Sequence, residues 1–281
     1  MNGDHRAGLD RFSINQMTVR QLSLPDLAAV CGRLGVTGVG LWREPVRSYG
    51  VRAAADLMRD AGLTVTSLCR GGFFTAGDQA GRTRALEDNR RAVDEAAALG
   101  TDTLVLVSGG LPAGSRDLIG AREQVADSLA VLAPHAAERG VRLAIEPLHP
   151  MYAADRCVIS TMHQALELAG RFPPSSVGVV VDTYHIWWDE TAPDAVARAG
   201  AQGRIHSFQL ADWTVPLPAG VLTGRGQLGE GSIELRRWRE RVDQAGYRGP
   251  MEVELFNEEL WAREGAEVLA ESLSRFVAHV L

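Results

Sequence analysis

The chain of 281 residues contains no lysine, so all 29 of its basic residues are arginine. That one absence removes whole classes of chemistry. A Schiff-base aldolase, an enzyme that anchors pyridoxal phosphate and a P-loop nucleotide hydrolase each need a lysine amine. Cysteine is scarce as well. Cys31, Cys69 and Cys157 are too few and too far apart for a disulfide framework or a zinc cluster, and read as reduced thiols. No apolar run approaches the ~18 residues of a membrane span, and no N-terminal stretch has a signal-peptide pattern. A cytoplasmic protein with no membrane partner is expected. The net charge is −6 and basic runs are missing. Nucleic-acid binders carry a positive footprint, so nucleic acid is not an expected partner.

What is present is alternation. Short β-branched runs occur around Phe12–Gln16, Gly38–Trp42, Leu63–Leu68, Thr103–Val107, Val141–Glu146, Val177–Asp182, Arg204–Leu210 and Met251–Leu255. Helix-period segments follow them, among them Leu24–Leu34, Arg82–Leu99, Gln124–Glu138 and Glu258–Val280. Such a series predicts an α/β fold, a single (β/α)8 TIM barrel over residues 1–281 with 1–9 as a flexible leader. A doubly wound sheet would not need so many units in a row. The longest non-helical connection, "DWTVPLPAGVLTGRGQLGEG" from Asp212 to Gly231, follows the seventh strand. It therefore lies on the face where barrel enzymes build their sites.

The ends of the last four strands carry acids. In "VRLAIEP", Val141, Leu143 and Ile145 suit the helix-facing side, which turns Glu146 inward. The same alternation turns Asp182 inward in "VGVVVDTYH", and Glu252 and Glu254 inward in "MEVELF". Ionised carboxylates facing a barrel axis are costly unless a divalent cation, arginine partners or solvent compensates them. In "RIHSFQLAD", motif spacing selects His206 as a ligand, whereas alternation places Gln209 inward; Gln209 is the reading adopted. Glu254 lies nearer the mouth than Glu252 and is the better ligand, with Glu252 assigned to hold Arg142 or another interior arginine. Glu146, Asp182, Gln209 and Glu254 form an all-oxygen set, which suits Mg2+ or Mn2+ better than zinc.

At these residues the chain resembles the xylose isomerase-like barrel superfamily of sugar isomerases and epimerases. The matching stretches are "LAIEP", "VVVDTYH", "FQLAD", "GEGSI" and "GYRGPMEVELF". The resemblance puts Glu146, Asp182, Gln209 and Glu254 on metal-ligand positions, and implies that Glu146 and Glu254 also move protons. His185 in "DTYH" matches a substrate-side histidine, and Arg225 matches an arginine that contacts substrate oxygens. Many relatives have "VHLKD" where this chain has "FQLAD". That departure points away from ketose 3-epimerases and towards the hydroxypyruvate isomerase and dehydroshikimate dehydratase patterns.

The function implied is isomerisation or epimerisation of a small sugar-like carbonyl compound through an enediolate, with Mn2+ or Mg2+ as cofactor. The alternative is a lyase that dehydrates an inosose or 3-dehydroshikimate through the same proton abstraction. Trp42 and Arg70, at the ends of the second and third strands, and Arg156, after the fifth, are further substrate-binding candidates. Trp187 and Trp188 follow His185 and have two readings, lining the same pocket or packing, of which packing is the commoner for aromatics there. The resemblance also implies a homo-oligomer.

Overall fold

The two faces of each strand set the architecture. In the computed structural model, which describes residues 8–217 and 221–281, parallel strands close into an eight-stranded barrel. They are β1 Phe12–Asn15, β2 Gly38–Trp42, β3 Thr64–Gly72, β4 Thr103–Val107, β5 Arg142–Glu146, β6 Val177–Asp182, β7 Ile205–Leu210 and β8 Met251–Val253. Since β8 pairs with both β7 and β1, no sheet edge is left open. Outward residues such as Ile14, Leu41, Leu143, Ile145, Val179, Val181 and Phe208 are large and belong to one continuous core beneath the helices. Inward residues are smaller. Cys69, Val105, Ala144 and Val180, with Trp42 leaning on them, make a separate cluster along the axis, where a narrow barrel admits little volume.

The helix Leu24–Leu34 shows how the outer layer is specified. Ser23 caps it by accepting from the Asp26 N–H at 3.3 Å, and Gly35 ends it in the left-handed region at φ 71°. Leu24, Leu27, Ala28 and Cys31, at helical spacing, are its buried face.

Several boundaries differ from the sequence expectation. The helices expected from Arg82 and Gln124 begin at Gln79 and Leu118. Asp78 and Asp117 start them early by accepting from the Gly81 and Gly120 N–H groups at 2.6 and 2.8 Å. A glycine at the third helical position hides each start from a periodicity reading. The expected helix Glu258–Val280 is two, Glu258–Trp261 and Gly265–His279. At the second start, Gly265 comes so close to Leu22 that a Cβ would lie 2.5 Å from its Cγ. β3 runs on to Gly72, carrying Cys69 and Arg70 to the C-terminal mouth. Regular pairing of β8 stops at Val253, although the Glu254 N–H still donates to the Leu210 carbonyl at 3.0 Å.

Of the leader expected at residues 1–9, residues 1–7 lie outside the described residues, and Leu9 packs against the core. The long connection after β7 contains a two-stranded antiparallel ribbon, Asp212–Trp213 with Arg225–Gly226; its residues 218–220 lie outside the described residues. Among the described residues, no helix is long and apolar enough to cross a membrane.

Glu252 is the polar tie inside the barrel. It accepts from Asn15 Nδ2 at 2.7 Å, Thr66 Oγ1 at 2.9 Å, Ser67 Oγ at 2.8 Å and Gln209 Nε2 at 3.1 Å. It does not hold Arg142, as the sequence suggested. Arg142 opens β5 at the opposite mouth and pairs with Asp102 at 2.9 Å. A Cβ on Gly40 would run into the Glu252 carboxylate, which cannot move without breaking several hydrogen bonds. Gly40→Ala is therefore expected to cost at least about 2 kcal/mol of stability, as overpacked interiors do. Urea denaturation checks this, and an unchanged midpoint contradicts the packing described.

Candidate active site at the C-terminal mouth

The strand ends bring the acids together. Glu146 ends β5, Asp182 ends β6 and Glu254 follows β8; they are 5%, 0% and 3% exposed. His185 stands one helical turn after Asp182, with its Nε2 3.8 Å from Asp182 Oδ2 and 3.9 Å from Glu146 Oε1. One donor atom from each of Glu146, Asp182 and His185 lies within 4.8 Å of the others. Arg225 draws Glu254 into the group. Its Nη1 donates to Glu254 Oε2 at 2.8 Å and to Asp182 Oδ2 at 3.2 Å.

The loop after β7 is built to place that arginine. Asp212 is fully buried and accepts from the N–H groups of Trp213, Gly229, Gly231 and Ile233 at 2.8 to 3.0 Å. This explains why "FQLAD" and "GEGSI" occur together: the aspartate of the first gathers the backbone of the second. Gly231 is required there, because a Cβ would run into the Trp213 carbonyl. Trp213 then pairs with Arg225 across the ribbon, and Asn257 Nδ2 donates to the Arg225 carbonyl at 3.0 Å.

Charge at this mouth is unbalanced. Burial, and then the negative charges of Glu254 and Asp182, raise the Glu146 carboxyl well above the ordinary range. Glu254 is raised by burial and by Asp182 and Glu252, against the pull of Arg225. Three buried carboxylates thus share one guanidinium. Gln209 adds a further acceptor: its Nε2 is committed to Glu252, while its Oε1 is buried with no hydrogen-bond partner. An orphaned carbonyl oxygen in a level ladder with Asp182, beside excess carboxylate charge, is what a hard divalent cation requires. Cys69, Glu252 and Glu254 form a second close group. It is the poorer one, because Glu252 is already saturated with donors and burial keeps the Cys69 thiol protonated. The oxygen groups at this mouth that could hold a cation are Glu146, Asp182, Gln209 and Glu254, with His185 close to the first two.

His185 is neutral, pushed down to about 3 chiefly by burial. Its Nδ1 faces the backbone N–H of His149 at 3.2 Å. A neutral imidazole has one acceptor and one donor, and here both ring nitrogens face donors, the His149 N–H at Nδ1 and the Arg225 guanidinium at Nε2. Only one of these contacts, at 3.2 and 3.0 Å, is a hydrogen bond in a given tautomer.

These groups line a cavity of about 570 Å³, whose walls include Trp42, Arg70, Phe73, Glu146, Tyr152, Arg156, His185, Arg225, Glu254 and Phe256. That volume suits a small molecule. Trp42, Arg70 and Arg156 all reach it. Trp187 and Trp188 do not: Trp187 packs on Trp213, and Trp188 is half-exposed with its Nε1–H donated to the His185 carbonyl at 2.8 Å. The short helix Thr183–Ile186 turns both away from the mouth. Asn15 and Tyr152 were missed as site residues. Asn15 links Trp42 Nε1 at 2.9 Å to Glu252, and the inward parity of "FSIN" was the available signal. A cavity of about 620 Å³ opens at the opposite mouth, but its acids, Asp102 and Glu252, are already partnered by Arg142 and by the barrel interior.

Residues 28–272 match the family described as xylose isomerase-like TIM barrel. A 3-dehydroshikimate dehydratase of Pseudomonas aeruginosa is 30% identical over 84% of this chain; the chain spans little more than a third of that protein, 36% of its length. An inosose isomerase of Bacillus subtilis is 24% identical over 70% of the chain and 69% of its own length. Among solved structures, protein SMc04130 of Sinorhizobium meliloti 1021 superposes with a TM-score of 0.94 at 44% identity, covering 97% of this chain and 99% of that one. The IOLI protein with a bound zinc atom superposes at 0.82 with 20% identity, covering 96% and 98%.

His206 lies away from the acids. Its Nε2 meets the Pro174 carbonyl at 2.9 Å at the foot of the barrel, and burial lowers its pKa from 6.5 to about 4. As the pH falls below about 6.5, the unfolded chain takes up this proton before the folded protein does, so stability is lost between about 6.5 and about 4. His206→Gln is expected to flatten the fall of unfolding free energy across that window. Equal slopes for variant and wild type would contradict it.

Proposed function

Because the chain belongs to the xylose isomerase-like TIM-barrel family, we propose that it is a divalent-metal-dependent isomerase or epimerase of a small polyhydroxy carbonyl compound. One observation carries the proposal: Glu146, Asp182 and Glu254 converge, buried, beside the orphaned Oε1 of Gln209. The all-oxygen donor set favours Mn2+ or Mg2+. When bound there, such a cation keeps the carboxylates ionised, polarises the substrate carbonyl and offsets the charge of an enediolate.

The chain's own residues do the rest. Glu146 and Glu254 come from β5 and from the end of β8, and both face the same cavity. One takes the proton from the carbon beside the carbonyl, and the other delivers a proton to the product carbon. His185, neutral and with its Nε2 beside the acids, donates from its Nε2–H tautomer to the oxygen on which charge develops. Arg225 binds a second substrate oxygen from the ribbon that Asp212 pins. Trp42, Phe73 and Phe256 narrow the access of water to the reacting carbons. Glu252 acts through Gln209: by holding Nε2 it leaves Oε1 without a partner.

A lyase is the second reading, favoured by the 30% identity to a 3-dehydroshikimate dehydratase. It shares the proton abstraction and then expels a β-hydroxyl group.

The test is incubation in D2O with Mn2+ and a panel of ketoses, inososes and 3-dehydroshikimate. Solvent deuterium in a product of unchanged composition supports isomerisation, and an ultraviolet-absorbing enone supports the lyase. A protein that binds metal and does neither contradicts both. About one divalent ion per chain is expected. Chelation abolishes turnover and Mn2+ restores it. Glu146→Gln and Glu254→Gln each lower kcat at least about 100-fold with the circular dichroism unchanged.

A further inference from the structure

We infer that the substrate carries an acid group, a carboxylate or a phosphate ester, gripped by Arg70, Arg156 and Tyr152 on the β3–β5 side of the cavity; this rests on the cavity being the substrate site proposed above.

Among the described residues, the two arginines that are buried outside this cavity have oxygen partners. Arg43 is held by Asp88 at 2.8 Å and Glu95 at 2.7 Å, and Arg204 donates to the carbonyls of Ala169, Val177 and Phe172. Arg70 and Arg156 line the cavity differently. Among the described residues, neither guanidinium has a carboxylate within ion-pair distance or a hydrogen-bond acceptor. Arg70 instead lies 4.3 Å from the centre of the Phe73 ring and 5.8 Å from that of Trp42. Phe73 adopts φ 52°, a left-handed conformation that a bulky residue rarely takes and that marks functional segments. It sets an aromatic face under the guanidinium and leaves the N–H fork free to meet an oxyanion.

The two charges are near enough to act on each other. Burial, and then the positive charge of Arg156, depress the Arg70 pKa. Glu44 lines the same cavity and opposes that shift, but it makes no ion pair with either arginine, and two like charges facing one cavity favour a ligand of the opposite sign. Tyr152 gives an independent sign. It lines the same cavity and is 4% exposed, yet its hydroxyl is buried with no partner. An unsatisfied donor beside two free guanidiniums fits an anionic oxygen group.

The experiment is calorimetric titration of the protein incubated with Mn2+, with metal content measured in each sample. Two matched pairs of probes are used: quinate against methyl quinate, and myo-inositol 1-phosphate against myo-inositol. At least one acid is expected to bind about tenfold or more tightly than its neutral counterpart, and the pair that shows the difference identifies carboxylate or phosphate. Arg70→Met and Arg156→Met each bring the acid to the affinity of the neutral probe. Equal affinities within both pairs overturn the inference; so does a preference that survives both substitutions, or no acid binding up to millimolar concentration. The comparison in the unsubstituted protein stands even if a variant fails to fold. A metal-replete protein that ignores the acid group overturns this inference alone, whereas an acid preference in a protein that binds no metal overturns the cation proposal alone.

Discussion

Three buried carboxylates around one guanidinium are the constraint on which this molecule turns. Glu146, Asp182 and Glu254 are each almost fully withdrawn from water, and Arg225 reaches two of them, at 3.2 and 2.8 Å. Removing charge from water is expensive, and one cation cannot compensate three anions. The cost appears in the raised pKa of Glu146 and Glu254. A barrel that gathers these groups at one mouth gives up stability there, which is ordinary where strain and charge serve chemistry.

The surrounding structure keeps that arrangement from relaxing. Inside the barrel, Glu252 collects Asn15, Thr66, Ser67 and Gln209, which fixes the amide whose oxygen is left without a partner. Outside it, Asp212 gathers backbone N–H groups from Trp213 to Ile233, and so fixes the ribbon that carries Arg225. Two further acids, one in the axis and one in the loop, act as organisers. They differ from the site acids in having their hydrogen-bond capacity filled by the protein itself. His185 belongs to the same design: its Nδ1 faces the His149 N–H, which turns its Nε2 towards the acids.

The barrel was legible because parallel strands buried on both faces read as apolar runs, and alternation within them separates helix-facing from axis-facing residues. The same rule turned Gln209 inward and sent His206 to Pro174, where ligand frequency alone would have chosen the histidine. Contacts across the chain were not legible. Assigning Glu252 to Arg142 followed from parity and charge, but parity does not give height along the axis, and the two lie at different levels. Trp187 and Trp188 take the packing role, since nearness in sequence to His185 says nothing of how a short helix turns after a strand. The capping roles of Asp78 and Asp117 were hidden by glycines, and the organising role of Asp212 depends on a loop closure that no local pattern encodes.

The central claim, that these acids are gathered to hold one cation, is tested most directly by anomalous diffraction from crystals grown with Mn2+. The account predicts one strong peak per chain within bonding distance of oxygens from Glu146, Asp182, Gln209 and Glu254. A map at saturating Mn2+ with no peak there, and with Arg225 still bridging Asp182 and Glu254, would contradict it.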